Sequence, residues 1–235
     1  MKEWVRMPSA WLTDSESPLR KMRWSGSGKA DQIAALMLYI VLVHHACDIP
    51  TSVFPKSGVC KLSYTQLSDI TSLSRAKIAG GLKLLCKIRV IEIISNGHSN
   101  SFYINNYENK SGWAKLPAKG LYARQYTHIN AFSDFHLRKK NELNALKVYL
   151  VILALRNIKT NYAKVGYDKL SQYTGVHRNE LKSAISLLIN LELVRVDSGS
   201  SEKNEFATVN LYRPCFLESY KHQGTVGSKW DESFT

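Results

Sequence analysis

Apolar and polar positions follow one pattern twice along the chain. Residues 62–93 and 165–196 align without a gap at a constant offset of 103 positions, and they share seven identities in 32. Most other apolar positions of one segment stay apolar in the other. A repeat of this length indicates two copies of one structural module.

Within each copy, apolar residues occur first at helical and then at strand spacing. The first copy predicts a helix over 64–70, a turn at 71–73, a helix over 74–87 and a strand over 90–94. The second copy predicts the same elements over 167–173, 174–176, 177–190 and 193–196. A turn rich in Gly, Asn and Ser and another apolar strand follow each copy, which predicts a hairpin.

Two matching segments precede each copy. Gln32–Val43 and Glu142–Leu153 are apolar at positions i, i+3, i+4 and i+7, so each is predicted to be the central helix of its module. Trp4–Pro8 and Trp113–Pro117 alternate apolar and basic residues and end at proline, which predicts two short strands.

These elements predict a mainly α-helical fold with small β hairpins (α+β), arranged as two tandem domains. The domains are expected over residues 1–108 and 113–220, with a linker over 109–112. Residues 221–235 lack periodicity and are expected to form a flexible tail. The segments before the central helices, 13–29 and 121–140, are polar or mixed.

The charge of the chain points to a polyanionic partner. Lys and Arg outnumber Asp and Glu by 32 to 19, for a net charge of +13. Both halves share the excess: residues 1–110 hold 14 cations and 8 acids, and residues 111–235 hold 18 and 11. Positive charge spread over a whole chain in this way is typical of nucleic-acid binding.

Several function classes are excluded by missing motifs. The four cysteines never form C-x-x-C and no paired histidine spacing accompanies them, so neither a metal nor another cofactor is expected. Phosphate-binding G-x-x-x-x-G-K-[ST], G-x-S-x-G and H-E-x-x-H are all absent, so no enzymatic activity is expected. Without a secretory signal or a run of about 18 apolar residues, a cytoplasmic, nucleoid-associated location without membrane contact is expected.

The two repeat copies share a motif with a known family. Residues 67–75 (LSDITSLSR) and 170–178 (LSQYTGVHR) resemble the winged helix-turn-helix of bacterial, phage and plasmid DNA-binding proteins. The tandem arrangement is also similar to that of two-winged-helix plasmid replication initiators. The resemblance implies that each hairpin is a wing, and that helices starting near Ser74 and His177 enter successive major grooves. The first copy departs from the family pattern at Ser72, where glycine is usual.

The first copy offers a cationic helix for DNA contacts, since the early residues of a recognition helix reach base edges. Arg75 fits a bidentate contact to guanine or a phosphate contact, and Lys77 fits a phosphate contact. Gly80 and Gly81 are unusual inside a helix, because each costs about 1 kcal/mol relative to alanine. Close approach to DNA or a partner helix and tight packing against the central helix both remain open for them. The candidate contacts are Ser72, Ser74, Arg75, Lys77, Lys83 and, in the hairpin turn, His98 and Asn100.

The second copy offers a less cationic helix. Asn179 fits a contact to adenine and Arg178 a contact to guanine, whereas contact with a partner subunit alone is the alternative for this helix. The basic cluster before the second central helix either touches phosphates between the modules or is a solvated surface. The candidate contacts are His177, Arg178, Asn179, Lys182, the hairpin residue Lys203, and the cluster Arg138, Lys139 and Lys140.

Three function hypotheses follow. The first is a transcription regulator of a bacterial or mobile-element operon that binds double-stranded DNA in a sequence-specific manner. The alternative is a plasmid or phage replication initiator that binds repeated origin sites. A protein-binding winged-helix scaffold fits the charge of +13 less well. A homodimer and host replication or transcription proteins stay open as further partners.

Overall fold

The structure is a computed structural model that describes residues 2–26, 28–52, 54, 56–96, 99–123, 125, 127–200 and 208–217. Within these ranges the fold combines eight α-helices with one two-stranded and two three-stranded antiparallel sheets, which confirms the predicted mixture of α and β structure. The elements are β1 (Trp4–Pro8), α1 (Ala10–Thr13), α2 (Pro18–Lys21), α3 (Lys29–His44), β2 (Val59–Lys61), α4 (Tyr64–Thr71), α5 (Arg75–Lys87), β3 (Ile91–Asn96), β4 (Ser99–Ile104), β5 (Trp113–Pro117), α6 (Lys140–Leu155), β6 (Ala163–Lys164), α7 (Tyr167–Thr174), α8 (Arg178–Asn190), β7 (Val194–Ser200) and β8 (Thr208–Pro214).

The residues before and after the 109–112 segment, here the first half and the second half, have the same order of elements. In the first half α3, α4 and α5 are accompanied by a sheet of order β2-β4-β3. In the second half α6, α7 and α8 are accompanied by a sheet of order β6-β8-β7. The helices and hairpins predicted from the repeat are confirmed, whereas the short strands β2 and β6 were not predicted.

The central helices form the core because they are apolar around almost their whole circumference. Every residue from Ile33 to His44 is buried, as is every residue from Glu142 to Leu153. The two helices also pack against each other, and each carries the last helix of its own half, α5 on α3 and α8 on α6. No helix among the described residues has the length and apolar character needed to cross a membrane.

Close packing explains the paired glycines of α5. A Cβ atom on Gly81 would lie 2.7 Å from a Leu38 methyl group and 2.9 Å from the backbone nitrogen of Ala35. A Cβ atom on Gly80 would meet the carboxyl group of Asp31, at 2.6 Å from its carbon. Of the two interpretations of this pair, the structure therefore supports tight packing against the central helix.

Strands β1 and β5 join the two halves as an antiparallel pair. Arg6 lies opposite Lys115 at the centre of the pair, Trp4 opposite Pro117, and Pro8 opposite Trp113. The register is thus symmetric about the Arg6–Lys115 pair, as in the self-complementary interface of a twofold dimer. The rings of Trp4 and Trp113 stack with their centroids 6.4 Å apart.

The halves also exchange the segments that precede their central helices. Helices α1 and α2 of the first half pack on α6 and α7 of the second. Reciprocally, residues of the 119–135 segment pack on the first half, where the Ile129 N–H donates to the Ile70 carbonyl (3.2 Å). We call this reciprocal arrangement the segment exchange. Apolar periodicity does not predict it, because the helical turns concerned are only three to five residues long.

A buried histidine fastens one side of the segment exchange. His44, at the end of α3, lies 2.9 Å through Nε2 from the Pro117 carbonyl oxygen and 3.1 Å through Nδ1 from the Tyr122 hydroxyl. Burial lowers the pKa of His44 to about 3. The imidazole is therefore neutral, so that Nε2 donates to the carbonyl and Nδ1 accepts from the hydroxyl.

Candidate nucleic-acid interface

The turn between α4 and α5 is held by side chains that bond to the backbone. Ser72 ends α4 in the left-handed conformation (φ 59°), and its N–H donates to the Ser68 carbonyl at 2.7 Å. The Ser68 hydroxyl donates to the Leu73 carbonyl (2.8 Å), and the Thr71 hydroxyl accepts from the Leu73 N–H (3.2 Å). Ser74 then caps α5, since its hydroxyl accepts from the Lys77 N–H (3.4 Å).

The turn between α7 and α8 repeats the side-chain bonds within the turn at equivalent positions, although His177 does not cap α8 as Ser74 caps α5. The Ser171 hydroxyl donates to the Val176 carbonyl (2.7 Å), and the Thr174 hydroxyl accepts from the Val176 N–H (3.2 Å). Gly175 takes the left-handed conformation there (φ 66°). The identities Ser68/Ser171 and Thr71/Thr174 of the repeat thus preserve the network that sets the direction of the following helix.

Helix α5 presents cations to solvent. It contains Arg75, Lys77, Lys83 and Lys87 and no acidic residue. Arg75, Lys83 and Lys87 are exposed and form no ion pair with any residue that the structure describes, although Arg75 donates to the Thr65 hydroxyl (3.2 Å). Lys77 is half-buried and lies 2.8 Å from a carboxylate oxygen of Asp31 in α3.

Helix α8 has fewer available cations at the same positions. The Arg178 guanidinium forms an ion pair with Asp168 in α7. Glu180, equivalent to Lys77, accepts from Lys140 of α6 at 2.6 Å. The ion pair between the central helix and the last helix therefore recurs in the second half with its polarity reversed, and the start of α8 is less positive than that of α5.

The structure brings some of the candidate contacts of each copy together. Ser72, Ser74 and Arg75 are exposed side by side at the start of α5. His177, Arg178, Asn179 and Lys182 line one open depression at the start of α8, together with Tyr167.

The remaining candidates lie apart from these two groups or cannot be placed. Arg138 and Lys139 are exposed beside Lys140, and the backbone N–H of Arg138 donates to Glu142 at 3.0 Å. The ion pair of Lys140 places this basic cluster next to α8. His98, Lys203 and the side chain of Asn100 lie outside the described residues.

One group of cations was missed by the sequence analysis. Arg20, Lys21 and Arg23 are exposed on and just after α2, which the segment exchange places at the turn between α7 and α8. A Cβ atom on Gly175 in that turn would lie only 2.7 Å from the Arg20 carbonyl oxygen. The signal was present as three cations within four residues, RKMR, in a segment without periodicity.

Comparison with known proteins yields no matching protein-family model and no curated protein of significantly similar sequence. In the described part of the chain, no group of three or more His, Cys, Asp or Glu side chains is arranged as a metal ion would require. Geometry and charge are therefore the basis on which a function is assigned.

Proposed function

We propose that each half is a winged-helix module and that the chain binds duplex DNA in a sequence-specific manner, as a transcription regulator of a bacterial or mobile-element operon. The observation that carries the proposal is helix α5. It follows a short, firmly held turn, packs closely on α3 and turns to solvent three exposed cations that have no ion-pair partner among the described residues. Such a helix gains free energy on DNA because its cations release condensed counterions.

The placement of side chains on α5 suits the major groove. In a helix-turn-helix the first residues of the second helix approach base edges. Arg75 occupies the first turn of α5, and its planar guanidinium suits the two acceptors of guanine. The β3–β4 hairpin follows α5 directly and corresponds to the wing.

The two halves are proposed to contribute unequally. Ion pairs compensate Arg178 and Lys140 in the second half, whereas Asn179 and Lys182 stay exposed. Since a compensated cation releases fewer counterions, the first half supplies more of the sequence-independent affinity. The second half adds base contacts through Asn179, and contact with a partner subunit is the alternative for α8.

The symmetric joining of the halves bears on the target site. The symmetric register of the β1–β5 pair and the segment exchange support an approximate twofold relation between the two halves, and with it between α5 and α8. One chain would then read two unlike half-sites in inverted orientation. A plasmid or phage replication initiator is the second candidate, because a chain with two such helices occupies a site alone and suits an array of repeated sites.

The proposal is tested by binding of the full chain to duplexes tiled across the DNA upstream of its own coding sequence. Fluorescence anisotropy at low salt should reveal one preferred fragment. Arg75→Ala should weaken binding to it by about 1–3 kcal/mol, and mostly on the preferred sequence if the contact is bidentate to a base. A loss that is uniform across all fragments would assign Arg75 to phosphate instead.

The matched control is Lys159→Ala. Lys159 is exposed and follows the C-terminal end of α6, while Lys140 at the other end contacts α8. Because the 16 residues of α6 span about 24 Å, Lys159 lies far from the start of α8. The control should bind like the parent. Failure of the parent to bind any duplex at low salt would refute the proposal.

A further inference from the structure

Helix α2 is anchored firmly on the second half although it belongs to the first. Leu19 is fully buried and Met22 is 5% exposed. Lys147 of α6 donates from Nζ to the Met22 carbonyl oxygen at 2.7 Å. These contacts on both sides of Arg20 and Lys21 hold the backbone of α2 against the turn between α7 and α8.

Gly175 supports this placement independently. Its left-handed backbone does not by itself demand glycine, because Ser72 adopts the same conformation at the equivalent position. What distinguishes Gly175 is the closeness of α2, since a Cβ atom there would stand 2.7 Å from the Arg20 carbonyl oxygen and 3.3 Å from the Arg20 Cα. The packing of α2 against this turn therefore explains why position 175 is a glycine.

The docked segment adds cations where α8 has few available. Arg20 and Arg23 are exposed and have no acidic partner among the described residues, while Lys21 is paired with Glu16 at 3.3 Å. The Arg20 guanidinium donates to the Ser15 carbonyl (2.6 Å), which orients it without neutralising it. In the same region Arg178 is paired with an acid.

We propose that Arg20 and Arg23 bind phosphates of the DNA duplex on which the second half docks. This inference rests on the proposed function. The first helix and turn of a helix-turn-helix cross the DNA backbone, so cations held at that turn face phosphates and not base edges. Guanidinium groups suit phosphate oxygens because their donors form a planar fork. A segment of the first half thus completes the DNA surface of the second.

The test compares full-length Arg20→Ala/Arg23→Ala with the parent and with Lys110→Ala/Lys159→Ala, a control that removes the same charge from exposed positions elsewhere. Binding is measured on the preferred upstream fragment and on a random-sequence 40-bp duplex at several salt concentrations. The slope of log affinity against log salt should become shallower by about 2 in the α2 variant, with equal losses on both duplexes. The control should keep more of the parental slope than the α2 variant.

A second variant removes no charge. Gly175→Ala should displace α2 and reproduce the shallower slope, whereas Gly166→Ala, where a Cβ atom would meet no described atom within 4 Å, should not. The inference would be overturned if both Arg20→Ala/Arg23→Ala and Gly175→Ala showed the same slope of log affinity against log salt as the parent. If the parent binds DNA and Arg75→Ala weakens it while these variants do not, only the inference fails. If the parent binds no duplex, the proposed function fails as well.

Discussion

Replacing Lys147 by methionine should raise the free energy of unfolding by about 3 kcal/mol at pH 7. Lys147 is only 2% exposed in the middle of α6, and the equivalent residue of α3 is Met37. Burial, together with nearby Arg23 and Lys140, lowers the pKa of Lys147 to about 7. That shift corresponds to an unfavourable contribution of about 5 kcal/mol, and losing the hydrogen bond to Met22 offsets about 1–3 kcal/mol of the gain.

The gain from Lys147→Met should depend on pH in a defined direction. Between about pH 7 and 10.5 the unfolded chain retains the proton that folded Lys147 has released, so the stability of the parent rises with pH. Methionine removes this titration. The advantage of the variant should therefore be largest below pH 7 and should shrink towards pH 10.

Urea unfolding followed by circular dichroism at pH 6.5, 8 and 9.5 measures both effects. Lys159→Met, at an exposed position, is the matched control and should leave the midpoint almost unchanged. The prediction is wrong if Lys147→Met is no more stable than the parent, or if the difference in their free energies of unfolding is the same at all three pH values. Either result would mean that the buried amine of Lys147 does not destabilise the fold.

Gly81→Val should destabilise the fold by at least about 3 kcal/mol and should weaken DNA binding with it. A side chain at Gly81 would meet the backbone of Ala34 and Ala35 and the Leu38 methyl group at 2.7–3.0 Å. Backbone atoms of a central helix cannot give way, so α5 itself must move away from α3. Thermal or urea unfolding measures the stability, and anisotropy measures the binding.

The neighbouring Gly80→Val is the matched control for this substitution. At Gly80 the atoms nearest to a Cβ atom would be those of the Asp31 carboxyl group, which can rotate aside. The cost should be under about 1 kcal/mol, comparable to the loss of the partly exposed ion pair with Lys77. Equal losses for the two variants would show that packing of α5 on α3 is not what excludes side chains at Gly81.

The repeating core was predictable because its elements bury one face each. Apolar spacing in residues 62–93 marks α4, α5 and β3, since their inward positions, such as Ile78, Leu82 and Leu85, are almost completely buried. The same reasoning located the strands β1 and β5, whose ends are set by Pro8 and Pro117. The spacing of apolar residues is sufficient to predict an element when that element packs on the core through one apolar face.

Pairing of charges was not predictable in the same way. Lys77 and Arg178 are both on the outward side of their helices by spacing, yet Lys77 meets Asp31 from α3 and Arg178 meets Asp168 from the preceding helix. These partners depend on how the helices cross, which periodicity does not encode. Lys147 likewise lies in an apolar run, and nothing in that run indicates that its amine would reach the Met22 carbonyl.

The segment exchange has a consequence for how the molecule comes apart. Because α1 and α2 cover α6 and α7, while described residues of the 119–135 segment pack on α3 and α4, neither half keeps all its apolar residues covered once the other has unfolded. Unfolding of one half would expose apolar surface of the other half, which we expect to unfold as well. We therefore expect the two halves to unfold in a single cooperative transition, so that a destabilising substitution in either α5 or α8 lowers the stability of the whole chain.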